Sequence, residues 1–168
     1  MVRRLGMLSL VPLLVIACST VAAPSPALSG SRSGQASPQA ALQTMYLALA
    51  SGDVEVIPSL VRAKNGGTLS AQQIQQVKAG SEQIIAAGPL HVSTVRVVTT
   101  LPLDATAVSL LPSGTNAVRA TFDVEGTGNT CLRLPLRHAE APLAQINGDW
   151  YVLEDVAFGL PFGSPLHC

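Results

Sequence analysis

Three cysteines, three histidines and ten side-chain carboxylates carry most of the chemistry this 168-residue sequence could offer. Thiolates take a lipid, a disulfide or a metal, while imidazoles and carboxylates move protons or bind metals. Cys131, His167 and Cys168 provide three metal-binding atoms, but adjacent ligands at a chain end match no zinc spacing, so no metal is expected. His91, His138 and His167 have no motif-spaced partner and read as solvated or hydrogen-bonded side chains. Asp53 and Glu55 suit an N-cap and the first turn of a short helix. Asp123 and Glu125 alternate with apolar neighbours and point to solvent. Glu154 and Asp155 end a strand with opposite parity, so one of them faces inward. An inward acid is what general acid-base catalysis would need, and a strand end reaching solvent explains the pair equally well. Gly30-Ser31-Arg32-Ser33-Gly34 has arginine where a nucleophile elbow needs serine. No catalytic residue and no cofactor are expected.

The N-terminus reads as a targeting segment. Arg3 and Arg4 precede an uncharged run from Leu5 to Ala17, too short to span a bilayer, and no later stretch approaches the roughly 18 consecutive apolar residues of a membrane helix. Val15-Ile16-Ala17-Cys18 then resembles the bacterial lipobox, which implies cleavage before Cys18 and a diacylglycerol thioether on its sulfur. By the same resemblance Ser19 favours the outer membrane where the host has one. The competing site is Val21-Ala22-Ala23, with cleavage after Ala23, although Pro24 would follow the cut. Lipidation of Cys18 leaves Cys131 and Cys168 as an even pair in an oxidising compartment, expected to form a disulfide around 36 intervening residues. Such a bond is worth about 2 to 4 kcal/mol.

Residues 1–18 are therefore assigned to the signal, and residues 19–37, rich in Ser, Ala, Pro and Gly, to a flexible tether. Removing Arg3 and Arg4 leaves eight basic against ten acidic residues, a net charge of −2. That balance, with six aromatics in all, excludes the basic stripe and stacking surface of a nucleic-acid binder.

The remaining chain must position these groups. Ser37-Pro38 opens a helix whose Leu42, Met45, Tyr46 and Leu49 share a face; Gly52 ends it, and Pro58 limits a second piece. Ser70 and Gln73 form a capping box for a third helix carrying Ile74, Val77, Ile84 and Ile85, which Gly88-Pro89 stops. The period then changes to two. Val92, Val95, Val97 and Val98 give a strand, Ala107 to Leu111 a second, and Val118, Ala120, Phe122 and Val124 a third. Leu132, Leu134 and Leu136 follow on the same core, which places Asp123 opposite Arg133 on the solvent face. Asn147-Gly148 turns the chain into Asp149 to Leu153. The expectation is an α+β fold with three N-terminal helices on a curved antiparallel sheet of four to six strands over 38–158, followed by a Pro/Gly-rich tail over 159–168.

The opening Met45 to Asp53, with its helix, Gly-Asp, helix order, and the closing Asn147 to Val152 resemble the nuclear transport factor 2-like, or cystatin-like cone, superfamily. The resemblance implies a cone that encloses a pocket in some members, including isomerase-like and cyclase-like enzymes. It carries no catalytic residue over to this chain. Together these features favour a non-enzymatic lipoprotein, attached to an extracytoplasmic membrane face through Cys18, that binds a small apolar ligand or an envelope protein. The alternatives are a small pocket enzyme using Glu154 or Asp155, and a secreted protein cut after Ala23.

Overall fold

A computed structural model describes residues 35–154. Helix α1 (Pro38–Ser51) starts where Ser37 Oγ accepts a hydrogen bond from the Ala40 N–H at 3.1 Å, with proline in the first turn. Leu42, Met45, Tyr46 and Leu49 are all buried on its inner face, and Gly52, at φ 76°, supplies the left-handed cap that ends it. A single 3-10 turn, Ile57–Leu60, includes Pro58 and buries Ile57 and Leu60. The expected Asp53 N-cap is not formed, because the turn begins later, with Val56 at its cap position and no side-chain bond. Glu55 instead reaches Lys78 at 2.6 Å.

Strand β1 (Val61–Arg62) follows, then helix α2 (Ala71–Ala86). The capping box forms as read: Gln73 N–H donates to Ser70 Oγ at 3.3 Å, and Ser70 N–H donates to Gln73 Oε1 at 2.9 Å. Val77, Ser81 and Ile84 are the buried positions of α2. Next come β2 (His91–Pro102), α3 (Ala105–Ser109), β3 (Asn116–Thr127), β4 (Leu136–Ile146) and β5 (Asp149–Leu153). The Asn147-Gly148 turn joins β4 to β5 with both residues at positive φ, the geometry that matches strand twist in a two-residue hairpin.

The strands form one sheet in the order β1-β5-β4-β3-β2. This corrects the expected fold class in two respects. The sheet is mixed, because β1 pairs parallel to β5 through Val61 with Val152 and Arg62 with Leu153. The helices are also not gathered at the N-terminus: β1 precedes α2, and α3 lies between β2 and β3. A two-residue strand is too short to show a period of two, which is why β1 left no signal in the sequence.

Two strand assignments fail for identifiable reasons. Ala107 to Leu111 was expected to be extended, but Asp104 accepts a hydrogen bond from the Ala107 N–H at 2.9 Å and starts α3. Leu132, Leu134 and Leu136 were expected on one strand, but it begins only at Leu136, which pairs with Val124, because Asn129 Oδ1 takes the N–H groups of Cys131 and Leu132 and Pro135 has none to give. Leu132 is nonetheless buried, so its place in the core was read correctly.

Two apolar clusters hold the sheet, one on each face. The larger gathers α1, the 3-10 turn and α2 over Ala120, Phe122, Val124, Ala141, Leu143 and Val152. At its centre the Tyr46 and Phe122 rings lie 5.8 Å apart in a tilted contact. The smaller cluster joins Leu103 and Leu111, either side of α3, to Ala117, Ala144 and Leu153 on the opposite face. Strand β2 shows mixed parity because its pairing with β3 slips between Val92 and Thr94 and again between Val97 and Thr99. Ser93 and Val98 are the extra residues, so Val98 lies exposed while Val92 and Val95 are buried.

Candidate functional site

The chain enters the described domain at one end of the sheet. Gln35 forms an antiparallel bridge with Trp150, accepting from the Trp150 N–H at 2.6 Å and donating to its carbonyl at 3.2 Å. It occupies the same side of β5 that β1 uses two residues further on. Cys18, the expected lipidation site, lies outside the described residues, as do Cys168, Asp155, His167 and the Ala23 cleavage site.

Glu154, the one described member of the candidate acid pair, continues the inward parity of Trp150 and Val152. Its backbone N–H donates to the Arg62 carbonyl at 2.7 Å, and its carboxylate accepts from Gln73 Nε2. The capping-box glutamine therefore closes its own helix with one amide atom and holds the end of β5 with the other. The Arg62 guanidinium lies 3.7 Å above the Tyr151 ring on the neighbouring strand. These contacts join the β1–β5 edge to the start of α2.

The opposite end of the sheet is organised by Asn129. Asn129 Nδ2 donates to the carbonyls of Ile84 at 2.7 Å and Gly88 at 2.9 Å, in the last turn of α2 and two residues past its end. Its Oδ1 accepts from Cys131 and Leu132, and its own N–H donates to the Leu132 carbonyl at 2.9 Å. One side chain thus satisfies helix-end carbonyls and orders the β3–β4 loop. Cys131 is buried within that loop and is disulfide-bonded. The signal that could have found Asn129 is the flanking Gly126 and Gly128, whose backbones make close approaches. A Cβ on Gly126, at φ 149°, would lie 1.9 Å from the His91 carbonyl oxygen, and one on Gly128 would lie 2.3 Å from that of Leu132.

Asp123 sits on the exposed sheet face, as read, but not opposite Arg133. Its strand partner on β2 is Arg96, and the shift between Phe122 and Val124 leaves Arg137 and His138 facing it on β4. The His138 N–H donates to Asp123 Oδ1 at 2.9 Å, with His138 itself at φ 52°. That backbone hydrogen bond, aided by the charges of His138, Arg137 and Arg96, holds the Asp123 carboxyl below its ordinary value. Arg137 pairs with Glu125, and Arg119 lies 3.4 Å from Glu140 and 4.0 Å from Asp104. Opposite charges meet across this face, so it presents an interspersed pattern and not a single-signed field. His91 begins β2, and His138 supports the bulge, so neither assembles with a second catalytic group in these contacts.

Among the described residues no group of three or more His, Cys, Asp or Glu is placed to hold a metal ion, and no helix is long and apolar enough to cross a membrane. No protein-family model matches the chain, and no curated protein matches it significantly.

Proposed function

We propose that the chain is a bacterial envelope lipoprotein, attached through Cys18 and displaying a partner-binding domain on the extracytoplasmic side, at the outer membrane where the host has one. The observation that carries this reading is Cys18 itself, preceded by Val15-Ile16-Ala17 at the end of the uncharged run that follows Arg3 and Arg4. The Gln35–Trp150 bridge supports it, because it fastens the domain close to the point where the connecting segment arrives. Sixteen residues separate Cys18 from Gln35, a span of at most roughly 60 Å. The relationship to the nuclear transport factor 2-like superfamily belongs to the same proposal and is supported by the α1, Gly52-Asp53 and 3-10 turn order and by the closing hairpin.

A partner protein is favoured over a small apolar ligand because the large side chains of α1 are fully buried on the inner face, where Tyr46 meets Phe122. Burial pushes the Tyr46 hydroxyl well above its ordinary value, which keeps it neutral. With Cys18 assigned to lipid, Cys168 is the disulfide partner of Cys131. The connection then starts at Glu154, beside the first turn of α2, and ends at the loop bound to its last turn. The deciding experiment is intact mass of protein extracted from a native membrane fraction, with Cys18→Ala alongside. A chain beginning at Cys18 and carrying acyl mass, absent in the variant, is the expected result; a soluble chain beginning at Pro24 overturns the reading.

A further inference from the structure

The exposed apolar side chains are unevenly distributed. Leu47 on α1 and Val98 in the middle of β2 stand apart, and isolated exposed hydrophobes of that kind are ordinary on a protein surface. Leu101, Val108 and Leu110 fall within ten residues, at the end of β2 and on and just after α3. Leu101 and Leu110 are 60% and 56% exposed. Helix α3 is held from beneath by Leu103 and Leu111, which leaves Val108 and Leu110 turned outward.

This apolar tip lies at the end of the sheet where the chain enters. Gln35 adjoins Trp150, Trp150 pairs with Gln145, and Gln145 pairs with Asn116, the first residue of β3 after the α3 connection. Three strand spacings, about 14 Å, separate Gln35 from that residue. Gln35, the first described residue, therefore lies at the same end that exposes Leu101, Val108 and Leu110.

We propose that this tip is a second membrane contact, inserting the side chains of Leu101, Val108 and Leu110 into the lipid surface to which Cys18 is attached. The proposal rests on the lipoprotein reading above. A bilayer suits the tip better than a second copy of the chain. Pairing through the neighbouring edge strand is obstructed, since Gln39 accepts from the Val97 N–H at 2.7 Å and donates to the Val95 carbonyl, occupying the outer groups of β2. Pro102 removes a further donor at the strand end. The neighbouring charges, Arg119, Asp104 and Glu140, are engaged with one another, the guanidinium lying between the two carboxylates. The diacylglycerol on Cys18 holds the chain at the surface, and an added apolar contact fixes the orientation of the anchored domain.

The test uses the full-length chain, with Leu110→Trp and Val98→Trp prepared separately. Each is reconstituted into phosphatidylethanolamine–phosphatidylglycerol vesicles with brominated acyl chains, and its emission is read against that of the parent, which contains the buried Trp150. The added fluorescence of Leu110→Trp should shift to the blue and be quenched by bromine, while that of Val98→Trp stays unquenched. Equal quenching at both positions, or none at position 110, overturns the tip contact. A blue shift that follows protein concentration in detergent, without bromine quenching, also overturns it and assigns the surface to a second copy. Acyl mass measured on the same samples reports the Cys18 attachment separately, so loss of quenching with acyl mass retained refutes the tip alone.

Discussion

The two ends of the sheet solve opposite problems. At the β3–β4 loop end, polar groups are paired internally: Asn129 binds two carbonyls of α2 and two N–H groups of its own loop, beside a buried, disulfide-bonded Cys131. At the α3 end the local hydrogen bonds are short-range, and Leu101 and Leu110 are left exposed above a small apolar cluster. Buried polar networks make one end specific and costly to alter. Exposed apolar groups at the other contribute little to folding and remain available for an interaction, so mutations at the two ends should report on different properties.

The largest effect is expected from Gly126→Ala. Its Cβ would collide with the His91 carbonyl at a backbone angle that L-residues avoid, so urea unfolding should show a loss of about 3 kcal/mol or more. Cys131→Ser should cost about 2 to 4 kcal/mol, and Cys131→Ser with Cys168→Ser should cost no more than the single change if these two cysteines pair. Asn129→Ala should follow at about 1 to 3 kcal/mol, since it removes the hydrogen bonds to the Ile84 and Gly88 carbonyls and from the Cys131 and Leu132 amides.

Smaller effects lie between and beyond these. The depressed Asp123 carboxyl stabilises the folded chain at neutral pH, and that contribution declines as pH falls from about 4 through its lower folded value. Asp123→Asn should therefore flatten the acid limb of an unfolding-against-pH curve and leave the neutral-to-alkaline limb with its original slope. Leu110→Ser should be nearly silent in unfolding, within about 0.5 kcal/mol. A large destabilisation by Leu110→Ser would erase the distinction between the two ends.

The sequence was most informative where one residue type performs one local task. Ser37, Gly52, the Ser70–Gln73 box and Asn147-Gly148 all stand where their backbone chemistry required. It was least informative where a long-range contact decided between local alternatives. Val61–Arg62 is a strand only because β5 offers a parallel edge, and Leu132 and Leu134 have strand-like spacing that Asn129 overrides. The alternation around Asp123 correctly indicated an exposed face, but one bulge moved its neighbour from Arg133 to His138. That one of Glu154 and Asp155 faces inward was legible; the bond of Glu154 to Gln73, eighty-one positions away, was not.

The most direct measurement is hydrogen exchange of the full-length lipidated chain in phospholipid vesicles and in detergent. The amides from Leu101 to Leu110 should exchange more slowly in vesicles, while those from Gly128 to Leu134 should exchange at the same rate in both. Slowing at the β3–β4 loop with no change around α3 would place the other end against the membrane and contradict the orientation proposed.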